Sequence, residues 1–562
     1  PTERSHLVQD IPGGHRTGPE RSDSRMTIDL GRRRLLVSTT ALAGVSFLPA
    51  WATTGSVPAL PRDGEAFDFE TLVAHARALS HQPYHAPDER YAELLDEIGY
   101  EAFMGIHTRK EVALWADAAT PVTVEFFHLD QNARAPIAIH VVESGRSRRI
   151  QYNGDLFRYD DPALAKRLPA DLGFSGFRML GRGDPAREWL AFKGASYFRS
   201  PGGLDQYGLS ARGVAIDTGY GADEAFPNFT QYWLIKPEPD AATITICALL
   251  EGQHVTGAYR IKLSRPNDII LDIETRLFQR NDVQRLGIAP LTSMFWFSET
   301  NARRGVDWRP EIHDSDGLAM TTGQDQRLWR ALVNPPRTQY SAFQDKNPKG
   351  FGLLQRDRVF DHYQDPEVGF ENRPSLWVEP RGNWGSGHVG LLELPTDEEV
   401  YDNINVFWVP AGKTASGNEW QFDYRLHWGA DQPDPPQLAR VMATRTGRAG
   451  APGTYEDQSV LARKFVIDFA GHALDSLDKD NAPEPQVHAS HGKIDNPYVR
   501  YVEKTGRWRV FFDWKGELPP NDTPVELQAA LRHGARQITE TWLYAYYPEA
   551  LPRQLYADDD SA

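Results

Sequence analysis

A chain of 562 residues with 40% hydrophobic and 25% charged residues has an ordinary globular composition, with length for roughly two to four domains. Its formal net charge of −16 argues against nucleic acid and against an anionic membrane surface, which both select a basic face, and leaves a neutral polymer or small solute as the natural partner. The single cysteine, Cys247, excludes an internal disulfide and a cysteine-built metal site; its apolar surroundings read as a buried structural thiol.

The first element along the chain is an export signal. Gly31-Arg32-Arg33-Arg34-Leu35-Leu36 opens a basic-then-apolar run through Leu42, Val45, Phe47 and Leu48 that ends on the small-x-small pattern Ala50-Trp51-Ala52. Arginines directly before the apolar stretch read as a twin-arginine signal, so residues 1–52 are expected to be a leader and the mature protein periplasmic. Ser38, Thr39, Thr40 and Ser46 make the run too weakly apolar for an anchor, so no stable membrane insertion of the mature chain is expected. Residues 1–25, ahead of Met26, are polar and patternless, and nothing ties them to the natural product.

Residues 67–79 have helical spacing, with Phe69, Leu72, Val73 and Ala76 on one face, and a short helix is expected around Ala92 to Ile98. Strand patterns then take over at 122–129, 137–142, 242–249, 269–277 and 391–394, separated by turn clusters such as Ser200-Pro201-Gly202-Gly203. Pro410 to Gly417 reads as a linker, and alternating runs recur at 420–428, 464–469, 508–514 and 540–546. The pattern predicts an all-β chain: a large N-terminal β-sandwich over 60–410, a linker at 411–418, and a C-terminal β-sandwich over 419–556. The tail Asp558-Asp559-Asp560 reads as a frayed end.

Gly385-Ser386-Gly387-His388-Val389-Gly390 spells G-x-G-x-x-G, but a strand-like run follows it where nucleotide binding needs a helix, so it reads as a hairpin turn. No G-x-S-x-G elbow occurs, and His313-Asp314-Ser315-Asp316-Gly317 lacks the later ligands of a calcium loop; neither a metal nor a cofactor is expected. Two islands stand out instead. Arg309 to Gly317 packs three carboxylates and an imidazole beyond Met294-Phe295-Trp296-Phe297, and Glu398 to Asn403 leads into Val406-Phe407-Trp408. Paired carboxylates among flat aromatic rings suit glycoside chemistry, in which one acid protonates the leaving oxygen and one base activates water. On composition alone the blander reading is stronger: each acid caps a turn or pairs with Arg303, Arg304, Arg309 or Arg373.

The runs RPEIHDSDGL at 309–318, GNWG at 382–385 and YDNINVFWVP at 401–410 resemble the periplasmic glucans biosynthesis protein family over roughly residues 60 to 555. The leader points to its D type. The resemblance implies a galactose mutarotase-like N-terminal sandwich and an immunoglobulin-like C-terminal one. It also implies anomer-inverting hydrolysis, transglycosylation or cyclisation of β-1,2-glucan, shaping the backbone of osmoregulated periplasmic glucans. Asp402 then matches the general acid, and Asp314 the general base, acting through a relay. Glu399 and Arg373 become candidate substrate or relay contacts, and Trp296, Trp377, Trp384 and Trp408 candidate sugar platforms. The carboxyls of Asp314 and Asp402 are expected to face one cleft. A non-catalytic glucan-binding protein assisting a membrane glucosyltransferase is the rival reading, and a homodimer is left open.

Overall fold

Alternation of apolar and polar residues along so many short runs leaves each strand one face to bury, and the chain buries them by packing two large sheets face to face. A computed structural model describes residues 57–548, apart from 222–223, 302–306, 434, 436, 451–460 and 520–522. The expected leader at 1–52, Arg303, Arg304 and the tail lie outside the described residues.

One sheet runs, in spatial order, through Val122–His128, Phe174–Gly181, Asp184–Lys193, Tyr197–Arg199, Ser210–Arg212, Leu286–Ser293, Ile404–Pro410, Ser386–Glu393 and Gln339–Lys346. The other carries the antiparallel run Gly317–Thr321, Gly350–Leu354, Ser375–Arg381, Glu419–Gly429, Ile269–Gln279, Val255–Ser264, Thr243–Glu251 and Asn228–Ile235. Phe126, Phe177, Leu190 and Phe192 of the first join Tyr232, Ile246, Ile261 and Leu271 of the second in one apolar core. Helix Phe69–Ser80 starts where the Asp68 carboxylate accepts the Thr71 N–H at 2.7 Å. It lays Phe69, Leu72, Val73 and Ala76 on the outer face of the second sheet, over Trp233, Cys247 and Leu249. Burial there pushes the Cys247 thiol up to about 12, so it stays protonated and inert.

The second sheet does not stop at the N-terminal region. Strand Arg327–Ala331 pairs in parallel with Thr541–Tyr546, registering Trp329 on Trp542, and the sheet continues into Val525–His533 and Glu484–Ala489. A four-stranded sheet, Arg440–Arg448, Leu461–Ala470, Arg507–Gly516 and Lys493–Val502, covers that extension through Phe465, Phe512, Trp508, Trp514 and Trp542.

Two expectations are corrected. Strand Glu419–Gly429, expected to open the C-terminal domain, lies inside the large sheet between Ile269–Gln279 and Ser375–Arg381. The expected linker is a tied connection: Gly417 N–H donates to Gln279 O at 3.0 Å and Val283 N–H to Thr414 O at 3.0 Å. Composition rich in Gly, Ser and Pro marks a turn as readily as a spacer, and pairing partners decide which. Likewise, the expected hairpin turn at 385–390 is not one: only Gly385 of the glycine run has a positive φ (+77°), just ahead of the strand. Gly387 and Gly390 lie within strand Ser386–Glu393, where added Cβ atoms would come within 2.5 Å of the Trp408 ring and 2.2 Å of the Tyr340 hydroxyl.

Candidate active site

The two acidic islands meet at one end of the sandwich. Strand Phe295–Phe297 pairs with Ile312–His313, and Asp314 N–H donates to Met294 O at 2.9 Å, which fixes where the Asp314 backbone leaves the ladder. The loop after strand Ser386–Glu393 carries the other island. Asn403 pins its far end, accepting the Phe295 N–H at 2.8 Å and donating to Phe295 O and Leu394 O, both at 2.9 Å. Arg309 joins the islands directly: its guanidinium donates to Glu399 at 2.8 Å and to Asp365 at 3.0 Å and forks onto Asp307. The Asp307 and Glu399 carboxylates raise the Arg309 pKa despite its burial.

Asp314 is buried, and Arg373 forms an ion pair with its Oδ1 at 2.5 Å. That contact lacks hydrogen-bond geometry, so Oδ1 keeps no aligned donor. Burial raises the Asp314 pKa, against the opposing charges of Arg373 and His313. Asp402 as a residue is exposed on its loop, but its carboxyl is recessed among protein atoms. Burial first, then the negative charge of Asp314, pushes it up to about 6, with Arg199 and Arg373 opposing. Asp402 in turn bears on Tyr197, beside Arg199 on strand Tyr197–Arg199. A carboxyl poised near neutrality beside a second, cation-paired carboxylate is an arrangement able to give a proton and take one.

Beneath Asp314 lies a polar support. Gln355 Nε2 donates to His313 O at 3.1 Å, to Tyr363 Oη at 3.0 Å and to Phe370 O at 3.2 Å, which turns its Oε1 toward His313 Nδ1 at 3.0 Å. The other ring nitrogen faces a Glu311 oxygen at 3.2 Å. Both nitrogens meet acceptors, so His313 is an imidazolium. Burial opposes that charge, but the Glu311 hydrogen bond and the Asp316 and Glu299 charges outweigh it and raise the group to about 9. Asp316 accepts the backbone N–H groups of Arg356 and Asp357. The Arg356 guanidinium, 3.6 Å over the Trp329 ring, forks onto buried Glu540 at 2.5 and 3.1 Å. Glu540 also accepts the Val441 N–H at 2.7 Å, so the C-terminal sandwich braces the loop that carries Asp314.

The predicted tryptophans divide. Trp377, Trp384 and Trp408 are core residues, and their rings are covered; they are not platforms. Tryptophan-rich strands bury such rings because no other side chain removes as much apolar area from water. Trp296 is half-buried and lines a cavity. Two aromatics that the sequence reading passed over are open to solvent: Trp308, 70% exposed, next to Arg309, and Tyr401, 56% exposed, next to Asp402. Their signal was position, each being the neighbour of a site residue. Arg199 and Tyr197 had none, because an ordinary strand carries them. Among the described residues Glu311, Asp357 and His362 present ligand atoms within 4.8 Å of one another, but His362 is already hydrogen-bonded to Asp357 and Glu311 to His313.

Comparison with known proteins gives a consistent answer. The family described as "Periplasmic glucan biosynthesis protein, MdoG" matches residues 67–546. "Glucans biosynthesis protein D 2" of Ralstonia nicotianae is 43% identical over 536 residues, 93% of this chain and 98% of that protein. "Glucans biosynthesis protein D" of Stenotrophomonas maltophilia is 42% identical over 92% of this chain and 98% of its own length, and that of Xanthomonas campestris pv. campestris 42% over 92% and 97%.

Proposed function

The chain belongs to the periplasmic glucan biosynthesis protein family, and from that premise we propose that it is an anomer-inverting enzyme acting on β-1,2-glucan. Asp402 is the general acid and Asp314 the general base. The observation that carries this reading is the pairing of unlike carboxyls: Asp402 raised to about 6, Asp314 held by Arg373. Protonated Asp402 gives its proton to the glycosidic oxygen as the bond from that oxygen to the anomeric carbon breaks. Water attacks the same carbon from the opposite face and passes its proton to Asp314, directly or along a relay, which yields the inverted anomer. Transfer uses a sugar hydroxyl in place of that water. Arg373 keeps Asp314 ionised in a buried setting, and Glu399, pinned by Arg309, contacts sugar hydroxyls. Trp308 and Tyr401 offer the flat faces. The neutral polymer suits a chain of net charge −16. Export follows the twin-arginine route, and among the described residues no helix is long and apolar enough to cross a membrane.

The test is to incubate purified protein with linear β-1,2-glucan and follow chain length and the anomeric configuration of the first product by NMR. Shortened or cyclised chains with an inverted anomer, lost in Asp402→Asn, are expected. If wild type and Asp402→Asn leave the polymer equally untouched, the enzyme reading fails and a glucan-binding role takes its place.

A further inference from the structure

We propose that the cavity beside Trp296, whose lining includes neither Asp314 nor Asp402, is an accessory sugar subsite that holds uncharged β-linked glucose units of the same polymer away from the cleaved bond. This deepens the proposed function and rests on it. The cavity, about 380 Å³, is lined among others by Trp296, Phe297, Asn301, Asn334, Thr396 and Asp397. That volume is at the low end of small-ligand pockets, roughly 300–1,000 Å³, and suits sugar rings rather than a large cofactor.

Its walls are preformed. Asn334 Nδ2 donates to Trp296 O at 3.1 Å and to Thr396 O at 2.6 Å, while its Oδ1 accepts the Thr396 N–H at 3.0 Å. One amide thus ties the strand under Trp296 to the loop opposite, and no reordering is needed before a ligand enters. The ring of Trp296, held edge-on to Phe297 at 5.1 Å, leaves a half-buried apolar surface. Polar groups stand beside it with capacity to spare. Asn301 Oδ1 accepts the Ser298 N–H at 3.0 Å, and its amide nitrogen has no partner among the described residues. The Asp397 carboxylate is exposed and equally without one. An indole face with one spare donor and one spare acceptor matches a pyranose ring, whose faces are apolar and whose hydroxyls both give and accept hydrogen bonds. The position fits an extended ligand, because the loop that supplies Thr396 and Asp397 goes on to supply Glu399 and Asp402.

Asp397→Ala and Trp296→Ala are made in the full chain carrying Asp402→Asn, and binding of a long linear β-1,2-glucan is measured by calorimetry. Each is expected to weaken binding by roughly tenfold, about 1.4 kcal/mol, and to raise KM by a similar factor in the active background. Should Trp296→Ala fail to fold, the exposed Asp397→Ala decides. Unchanged affinity in a folded Asp397→Ala, when the Asp402→Asn parent binds the glucan and the wild-type protein cleaves it, overturns the subsite alone. A wild-type protein that does not cleave the glucan, with an Asp402→Asn parent that does not bind it, overturns the proposed function and the subsite together.

Discussion

Around Asp314 the carboxylate is buried, cation-paired and underlain by a protonated histidine, whose neighbours tie through Asp316 and Arg356 to a second sandwich. On the Asp402 side a loop anchored by Asn403 and Arg309 holds the carboxyl within the electrostatic reach of Arg199 and Arg373, flanked by exposed Tyr401. Both carboxyls are raised, each chiefly by burial. Nearby cations oppose the rise at both, Arg373 and His313 at Asp314 and Arg199 and Arg373 at Asp402, but Asp402 is also repelled by Asp314 itself. Two chemically identical side chains thereby sit in unlike electrostatic settings.

The largest effects come from erasing that contrast. Asp402→Asn and Asp314→Asn should each lower turnover of linear β-1,2-glucan by roughly 10²–10⁴-fold, read as release of new reducing ends or loss of chain length. An Asp402→Asn enzyme with wild-type turnover would collapse the comparison. In wild type, activity should fall as pH rises through about 6, where the Asp402 proton is lost, and should fall on the acid side as Asp314 is protonated above the usual carboxylate range. Asp314→Asn should remove the Asp314 charge that helps raise Asp402 and shift the alkaline limb downward in whatever activity remains.

The brace is tested by stability. Arg356→Met strands Glu540 in a buried site and should cost roughly 3–5 kcal/mol in urea unfolding, with activity lost alongside. A smaller loss, about 1–3 kcal/mol, is expected for His313→Gln, which leaves Glu311 without its charged partner. Because the folded pKa of His313 is raised to about 9, its contribution is complete below about 6.5 and fades as pH climbs through 9. Wild type should therefore lose stability across that window, and His313→Gln should flatten the decline. Smallest is the change at exposed Trp308, where Trp308→Ala should cost about 1 kcal/mol in KM with the fold intact, whereas the same change at buried Trp408 should cost roughly 3–5 kcal/mol of stability.

Strand identity was legible wherever alternation was clean, as at Val122–His128, Ile269–Gln279 and Arg507–Gly516, because a two-residue period leaves one face to bury. The capped first helix was legible for the same reason in a longer period. Strand partners were not. The run at 420–428 looked like the opening of a new domain until its hydrogen bonds placed it between 269–279 and 375–381, since main-chain pairing leaves no mark on side-chain order.

The sequence by itself determined an all-β chain with two acid-rich islands, and its motifs were specific enough to mark the family. Tertiary structure alone decided that the islands meet through Arg309 and Asn403, that Trp377, Trp384 and Trp408 belong to the core while Trp308 and Tyr401 face solvent, and that one sheet runs through both sandwiches. The physical reason is common to all three. Residue type fixes what a side chain can do, but its charge state and exposure depend on which distant strands fold over it, and those contacts are set by packing.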